Sequence, residues 1–320
     1  MKFSPLFLFI FLLIPCFFAP LASGQKNKTD ARRLFHPPIF ASQKISLNGL
    51  KIHFVELGEG PPLLFLHGLG GSFNDWAPSL QFFSPSCRAS AIDFPGFGNS
   101  DKPEVEYSIE WLTRVVENFL RERKIDRVNL VGHSMGALVA LNLAAQPDSP
   151  VKKLAVCDAV GIGDKAGFLS YALTKKIMGP ESRFETLEGI LRDEFKSMID
   201  DFFKGQKPKT AREFFESLPK TPFTGKPFLP MTPSVQMSAS IIDFDIRPKL
   251  SSVKQPTLII WGAKDPIAPL PDASFLQSRI PQSTLKILEG CGHSPMLEQP
   301  VRFNQEVSKF LQAAESGSSR

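Results

Sequence analysis

The stretch at residues 127–146 constrains the fold of this chain more than any other part of the sequence. It begins with a short apolar run and ends with an alanine- and leucine-rich run that is long enough for a helix. Between the two lies Gly132-His-Ser-Met-Gly136, with a glycine two positions on either side of Ser134. Glycines at this spacing let a strand and a helix approach closely at a sharp turn. The stretch therefore predicts a strained turn that presents the Ser134 hydroxyl. A glycine-flanked turn that merely contains a serine is the alternative.

Length and composition are those of an ordinary globular protein. A chain of 320 residues can hold one large domain with an insertion, or two smaller domains. The net charge is only +5 and most basic residues are scattered, so we expect a solvated surface and no nucleic-acid partner. The spacing of the cysteines fits no zinc site, and we expect no metal.

The N-terminal residues 1–24 differ in character from the rest of the chain. Residues 6–14 are an unbroken apolar run, and Ala22-Ser-Gly24 offers a small-residue cleavage site. This pattern predicts a signal peptide and an exported protein, either periplasmic or secreted. A retained membrane anchor, and with it membrane association, is the alternative. Pro15 and Pro20 interrupt the apolar stretch and argue against a spanning helix.

Strand patterns alternate with helical patterns over residues 40–160 and again over residues 246–314. Several of the strand patterns are apolar throughout, as expected of strands buried on both faces. The alternation predicts an α/β fold with a mostly parallel sheet covered by helices. Strands are predicted at residues 43–47, 51–57, 62–67, 89–93, 128–132, 151–158, 256–261 and 284–289. The Asn48-Gly49 pair between the first two predicts a tight hairpin.

Residues 161–245 interrupt this alternation and read as an inserted helical cap. Apolar residues recur there at spacings of three and four, and Thr210-Ala-Arg-Glu213 predicts a capped helix start. The segment is rich in phenylalanine. We expect some of these rings to line an apolar pocket, and the alternative is that all of them pack the cap. The phenylalanines concerned are Phe184, Phe195, Phe202, Phe203, Phe214 and Phe215.

A serine becomes a strong nucleophile only when a base takes its proton and a third group orients that base. His293 is a candidate base, because it lies in a glycine-rich loop directly after the last predicted strand. Asp265 directly follows the penultimate predicted strand, and Asp158 follows the strand after the Ser134 turn. Either aspartate could instead cap a turn. We favour Asp265 as the orienting acid.

Five motifs in this order resemble the α/β-hydrolase family over residues 40–314. They are His67-Gly68, Asp93-Phe-Pro-Gly-Phe-Gly98, Gly132-His-Ser-Met-Gly136, Asp265 and Gly292-His293. The resemblance implies an eight-stranded, mostly parallel sheet with an inserted helical cap, and no cofactor. It also implies a triad of Ser134, Asp265 and His293. In that family the histidine comes last, and His293 is the only one of the five histidines that follows Ser134.

The tetrahedral intermediate of such a reaction needs hydrogen-bond donors for its oxyanion. Met135, directly after the nucleophile, would give one backbone amide, and Leu69 in the loop after the third strand would give the other. His67 is expected to hold that loop. A serine nucleophile argues against the dehalogenases and epoxide hydrolases of the family. The His-Gly-Leu-Gly-Gly loop, with Trp76 downstream, is more similar to lipase- and esterase-like members.

The sequence therefore predicts an exported serine hydrolase that acts on a small, apolar carboxylic ester. One alternative keeps the fold and changes the bond to a thioester, lactone, peracid or carbon–carbon bond. Another is a binding protein that retains the fold and buries a ligand under the cap. The pattern makes no prediction about oligomeric state.

Overall fold

The computed structural model describes residues 40–163, 165, 168, 210–216 and 231–313. Within them the chain forms an eight-stranded sheet with the order β1-β2-β4-β3-β5-β6-β7-β8. The strands are β1 (Ser42–Leu47), β2 (Leu50–Leu57), β3 (Pro62–Leu66), β4 (Arg88–Ile92), β5 (Val128–His133), β6 (Val151–Cys157), β7 (Thr257–Gly262) and β8 (Ser283–Leu288). β2 pairs antiparallel with β1 and β4, and the other neighbours are parallel. The predicted α/β fold with a mostly parallel sheet is confirmed.

Helices connect the strands and cover the sheet. They are α1 (Ala77–Phe83), α2 (Ile109–Glu122), α3 (Met135–Ala144), α4 (Ala211–Glu216), α5 (Pro233–Asp243), α6 (Leu270–Arg279), α7 (Pro295–Glu298) and α8 (Pro300–Gln312). Within the described residues, 3-10 helices lie at Phe73–Trp76 and Arg247–Ser252. None of the helices in the described part of the chain combines the length and the apolar character needed to cross a bilayer.

The sheet separates two apolar cores, and β3 shows how. Leu64 and Leu66 belong to the core under α2 and α3, whereas Leu63 and Phe65 belong to the core under α1 and α8. All four side chains are buried. Successive side chains of a strand point to opposite faces, so a strand between two cores must be apolar at every position. This is why the continuous apolar runs in the sequence became the central strands.

The first hairpin has the geometry that its turn residues favour. Asn48 and Gly49 both have positive φ, at 49° and 87°. A two-residue hairpin turn with positive φ at both positions matches the twist of the paired strands, and asparagine and glycine adopt it readily. The turn places Leu47 opposite Leu50, and the predicted hairpin is confirmed.

The sequence predicts one helix at residues 75–83, whereas the structure has two elements there. The helical segment begins as the 3-10 helix Phe73–Trp76 and continues as α1. Ser72 caps the 3-10 helix: its side chain accepts a hydrogen bond from the amide of Asn74, and the Asp75 carboxylate accepts one from the Ser72 amide. A capping box satisfies backbone donors at a helix start. The helical segment therefore begins at Phe73, two residues before the start that the apolar spacing predicts.

The described part of the cap is held by polar bonds and by packed phenylalanines. Thr210 Oγ1 accepts a hydrogen bond from the amide of Glu213 at 3.1 Å, which confirms the predicted helix start. The Ala211 amide donates to Asp243 Oδ1 at 2.8 Å and so attaches α4 to α5. Phe214 and Phe215 are buried in the core that α5 shares, so the burial of these two rings is explained by packing.

Several predictions lie outside the described residues. They concern the signal peptide at residues 1–24, the cap between residues 169 and 209, and the rings of Phe184, Phe195, Phe202 and Phe203. These stay predictions.

Candidate active site

Ser134 stands on a sharp turn between β5 and α3, as the sequence predicts. Its backbone has φ 54° and ψ −118°, a conformation that a residue with a side chain rarely adopts. The Ser134 amide donates to the Cys157 carbonyl oxygen at 2.9 Å, which ties the turn to the neighbouring strand β6. Strain of this kind persists only where the surrounding structure enforces it, and it is frequent at functional sites.

The two flanking glycines allow that turn to exist. A Cβ on Gly132 would collide with the carbonyl oxygen of Gly136. A Cβ on Gly136 would collide with the carbonyl oxygens of Leu66 and His67 at the end of β3. Both obstacles are backbone atoms in the centre of the sheet, and they cannot move aside cheaply. The glycine spacing therefore reflects contact between the helix and two strands.

The three residues proposed as a triad lie in one hydrogen-bonded chain. His293 Nε2 lies 2.9 Å from Ser134 Oγ, and His293 Nδ1 lies 2.7 Å from Asp265 Oδ2. The other carboxylate oxygen, Asp265 Oδ1, accepts hydrogen bonds from the amides of Ile267 and Ala268 at 2.7 and 3.1 Å. The strand ends of β5 and β7 and the loop after β8 thus bring together residues that are up to 159 positions apart.

The charge of Asp265 sets the proton positions in this chain. Burial alone would raise its pKa, but hydrogen bonds from His293 and from the amides of Ile267 and Ala268 outweigh burial and lower it. An ionised Asp265 is an acceptor only, so His293 Nδ1 carries a proton and donates it. His293 Nε2 is then the unprotonated nitrogen, and it faces the Ser134 hydroxyl as an acceptor.

Asp158, the alternative acid, lies beside this chain in a different state. It is fully buried. Its carboxyl forms a cluster with the Asp265 carboxyl and the His293 ring, in which one oxygen or nitrogen atom of each residue lies within 4.8 Å of the others. Burial first, and then the nearby charge of Asp265, raise its pKa well above the ordinary value. Asp158 Oδ1 accepts from the Gly262 amide at 2.9 Å, and Oδ2 accepts from the Cys157 thiol at 3.0 Å. The partner of His293 Nδ1 is therefore Asp265, and Asp158 is a neutral neighbour.

The same cluster has the residue types of a metal site, but its bonding is that of a proton-transfer chain. A metal ion requires deprotonated ligands with free lone pairs directed at one point. Here His293 Nδ1 is a donor to Asp265, and Asp265 Oδ1 is already occupied by two amides. Asp158 favours its neutral form. The three residues do not fit a metal as they are arranged.

The predicted oxyanion residues flank Ser134 from two elements. Met135 is the first residue of α3, where backbone amides have no acceptor within the helix. Leu69 follows Gly68, and a Cβ on Gly68 would stand 3.1 Å from the Ser134 Cβ. The loop after β3 therefore lies directly against the serine. Met135 and Leu69 therefore both belong to segments next to Ser134, and the oxyanion role of their amides stays a prediction.

His67 holds that loop, which is the structural role expected of it. Its Nδ1–H donates to the Gly68 carbonyl oxygen at 2.7 Å, and its Nε2 accepts from the Phe94 amide at 2.9 Å. Burial lowers the pKa of His67, so the ring is neutral and can act as donor and acceptor at once. Asp93 supports the same loop, since its Oδ1 accepts from the Phe73 amide at 2.7 Å.

One residue of the site had no role in the sequence analysis. His133 Nε2–H donates to the backbone carbonyl oxygen of His293 at 2.6 Å, and the two ring centroids are 4.9 Å apart. Burial, followed by the proximity of His293, lowers the pKa of His133 to about 3. The two residues are 160 positions apart, and the sequence contains no pattern that would pair them.

Comparison with known proteins gives one family. A family model described as alpha/beta hydrolase fold matches residues 61–300. An uncharacterised protein of Mycobacterium tuberculosis is 27% identical over 303 residues, which cover 92% of this chain and 87% of that protein. A pimeloyl-[acyl-carrier protein] methyl ester esterase of Aeromonas hydrophila is 26% identical over 275 residues, covering 82% and 100%. A 2-hydroxy-6-oxo-6-phenylhexa-2,4-dienoate hydrolase of Comamonas testosteroni is 27% identical over 273 residues, covering 83% and 92%.

Solved structures agree on the fold. A membrane phospholipase A, described as a bacterial virulence factor, superposes with a TM-score of 0.62 at 23% identity, over 85% of this chain and 86% of that one. At this identity the similarity is evidence for the fold alone. The family match covers most of the sheet, the turn at Ser134 and the loop of His293. This chain belongs to the α/β-hydrolase family.

Proposed function

We propose that this protein is a serine hydrolase that cleaves carboxylic esters through an acyl-enzyme intermediate. The observation that carries the proposal is the hydrogen-bonded chain from Ser134 through His293 to Asp265, which starts at a strained turn. A buried carboxylate, an imidazole and a hydroxyl in this order form the arrangement that activates a serine. A binding protein would have no need for all three in this geometry.

In the acylation step, His293 Nε2 takes the proton of Ser134 as Oγ attacks the acyl carbonyl carbon. The 2.9 Å separation of these two atoms permits direct transfer. His293 then carries a positive charge, which the buried Asp265 carboxylate stabilises across 2.7 Å. The amides of Met135 and Leu69 would receive the oxyanion, and such donors typically contribute ~3 kcal/mol to transition-state stabilisation.

Collapse of the intermediate breaks the ester bond. His293 Nε2–H gives its proton to the leaving alkoxide, the alcohol departs, and the acyl group stays on Ser134 Oγ. Water then enters, His293 takes one of its protons, and the hydroxide oxygen attacks the acyl carbon. The second collapse returns the proton to Ser134 and releases the carboxylic acid. Ser134, His293, Asp265 and the two backbone amides suffice for both halves of the reaction.

An apolar acyl group is the substrate feature that the sequence favours. The cap is rich in phenylalanine, although Phe214 and Phe215 are engaged in packing. If other cap rings line the acyl site, each added methylene contributes up to ~0.8 kcal/mol of burial, or about fourfold in kcat/KM. We expect kcat/KM for p-nitrophenyl esters to rise from acetate through butyrate to hexanoate. A series that is highest for acetate and falls with each carbon would refute the apolar acyl site.

Hydrolysis of a carbon–carbon bond is the second candidate. The similarity to the 2-hydroxy-6-oxo-6-phenylhexa-2,4-dienoate hydrolase of Comamonas testosteroni, at 27% identity over 83% of this chain, favours it. That similarity is about as strong as the one to the Aeromonas hydrophila methyl ester esterase, so identity alone does not choose between the bonds. The geometry of Ser134 and His293 serves either reaction.

A substrate panel on the purified protein tests the proposal. It should contain alkyl and p-nitrophenyl esters, a thioester, a lactone and a 2-hydroxy-6-oxo-dienoate, each with Ser134→Ala as the control. We expect the esters to give the highest kcat/KM and the alanine variant to give none above background. If the protein hydrolyses the dienoate and leaves the esters unhydrolysed, the second candidate replaces the ester proposal.

A further inference from the structure

The catalytic loop at residues 289–294 is fixed by side chains that reach it from two directions. Glu298 at the end of α7 accepts the amide of Gly292 at 2.7 Å and the amide of Ser294 at 2.9 Å. These two amides lie on either side of His293. The carbonyl oxygen of His293 itself is bound from the opposite direction, by His133 Nε2–H at 2.6 Å. The peptide that carries the base is thus held at three points.

The bond from His133 differs from the other two in where it begins. Glu298 belongs to the same stretch of chain as the loop, so its bonds fix only the local shape. His133 is the last residue of β5 and is covalently joined to Ser134. A bond from His133 to His293 therefore connects the backbone of the nucleophile to the backbone of the base, across 160 positions of sequence.

We propose that His133 is a positioning residue, which holds His293 in hydrogen-bonding register with Ser134 through the bond from its Nε2–H to the His293 carbonyl oxygen. The proposal rests on the proposed function, since it assigns a partner to the base of that reaction. Without this bond the loop would keep its bonds to Glu298 but lose its direct link to the Ser134 turn. The 2.9 Å separation of Ser134 Oγ and His293 Nε2 would then depend on the bond of His293 Nδ1 to Asp265 and on the bond from the Lys264 amide to the Cys291 carbonyl oxygen at 2.8 Å, neither of which begins at the Ser134 turn.

The surroundings of His133 suit a neutral, fixed donor. The ring is buried, and its Nδ1 has no hydrogen-bond partner in the described part of the chain. Nδ1 faces Gly68, whose Cβ, if present, would stand 2.9 Å away. A neutral ring with its proton on Nε2 satisfies the His293 carbonyl oxygen and leaves Nδ1 as an unprotonated nitrogen. A charged ring at 4.9 Å would instead repel the imidazolium that His293 becomes during catalysis.

A matched pair of substitutions separates the hydrogen bond from the space that the ring fills. In His133→Gln the amide nitrogen is as many bonds from the backbone as Nε2 is, and it can donate to the same carbonyl oxygen. His133→Met has the same length and no donor. We expect the glutamine variant to keep at least about a third of kcat and the methionine variant to lose about 10-fold or more, with KM unchanged in both. If His133→Met does not fold, His133→Asn is used in its place. The asparagine amide nitrogen is one bond closer to the backbone than Nε2 of histidine, so it is too short to reach the His293 carbonyl oxygen.

A second measurement distinguishes positioning from general disturbance of the turn. In a His293→Ala background the base is absent, so His133→Met should cause no further loss of the residual activity. The same loss in both backgrounds would show that His133 acts on Ser134 or on the oxyanion donors, and would overturn the proposal. Full kcat in His133→Met would overturn it as well.

These results are separable from the fate of the proposed function. If Ser134→Ala and His293→Ala abolish ester hydrolysis while His133→Met does not impair it, only the positioning role fails. If Ser134→Ala retains activity, the proposed function fails, and the positioning role fails with it.

Discussion

At the level of single residues, the site depends on two buried aspartates that are held in opposite charge states. Asp265 receives N–H donors on both oxygens, and its pKa is lowered despite burial. Asp158 receives one amide and one thiol, and burial raises its pKa well above the ordinary range. Two carboxyl groups this close cannot both ionise in an apolar interior without a large penalty. The distribution of donors decides which one carries the charge that orients His293.

The two aspartates should therefore respond very differently to the same substitution. We expect Asp265→Asn to lower kcat by about 10⁴, because an amide cannot stabilise the imidazolium and can hold the wrong tautomer of His293. Asp158→Asn should stay within about threefold of wild type, because an amide resembles the neutral carboxyl in shape and bonding. Both variants are compared on one p-nitrophenyl ester. If Asp158→Asn is the crippled variant, the acid has been assigned incorrectly.

The raised pKa of Asp158 also predicts how stability depends on pH. Above the unfolded-state pKa of about 3.9, the folded protein binds a proton at Asp158 that the unfolded chain has released, so this group lowers stability as pH rises. Asp158→Asn removes that dependence, and asparagine tolerates the positive φ of 48° at this position. We expect the variant to be more stable than wild type at pH 7 in urea unfolding, with a difference that closes as the pH approaches 4. A difference independent of pH would contradict a neutral Asp158.

The residues of the triad were predictable and their supports were not. Ser134, Asp265 and His293 each stand directly after a strand pattern, and the order of the motifs selects among the candidates. The bond between His133 and the His293 backbone joins the end of β5 to the loop after β8, and these meet only when both strands enter the same sheet. The protonation of Asp158 depends on burial and on the position of Asp265, and neither can be read from sequence spacing.

At the level of elements, the turn between β5 and α3 sets the position of Ser134, the proposed nucleophile. The helix starts immediately after Ser134 and passes so close to β3 that Gly136 contacts the end of that strand. This approach fixes the position of Ser134 at the start of the helix, directly before Met135. The local conformation and the packing of three elements therefore have a common cause.

Gly136→Ala tests this packing, because the substitution should lower the free energy of unfolding where it would ordinarily raise it. Replacing a helical glycine by alanine ordinarily stabilises a protein by roughly 0.5–1 kcal/mol. Here the added Cβ would meet the carbonyl oxygens of Leu66 and His67, so we expect a loss of about 3 kcal/mol in the free energy of unfolding. Urea denaturation measures it. A gain in stability would show that the helix can move away from β3 without penalty.

The elements themselves were predicted to within a few residues because their patterns are strong. The apolar runs of β3 and β7 are buried on both faces, as a short continuous apolar run indicates for a central strand. The hairpin turn at Asn48 and Gly49 was predictable from the backbone preferences of the two residues. The 3-10 helix before α1 was missed, since Ser72 starts it by capping ahead of the apolar positions.

At the level of the whole molecule, the described residues form a mostly parallel α/β sheet covered by helices, and the inserted cap at residues 161–245 stays a prediction. In the sheet β4 lies between β2 and β3, so the connections from β2 to β3 and from β4 to β5 each pass over one strand. The packing of the predicted cap could not be predicted from the sequence. An apolar stripe shows which face of a helix is buried, but it does not give the orientation of one helix relative to another. Phe214 and Phe215 illustrate this: their sequence suggested a pocket, and their burial is accounted for by the core.

The N-terminal segment carries the prediction about location. The apolar run at residues 6–14 and the Ala22-Ser-Gly24 sequence predict cleavage before about Gln25 and export from the cytoplasm. N-terminal sequencing of the protein from its native host checks this, with cell fractionation as the companion measurement. Recovery of intact Met1 in the membrane fraction would favour the retained anchor instead.

The most direct test of the central claim, that Ser134 is a nucleophile activated by His293 and Asp265, is covalent trapping with a fluorophosphonate. The intact wild-type protein should gain the mass of one phosphonyl group, and peptide mapping should place it on Ser134. His293→Ala should label far more slowly, and Ser134→Ala should not label and should lose about 10⁴ or more in kcat. Labelling of Ser134→Ala at the wild-type rate, or a folded wild-type protein that does not label, would contradict the account.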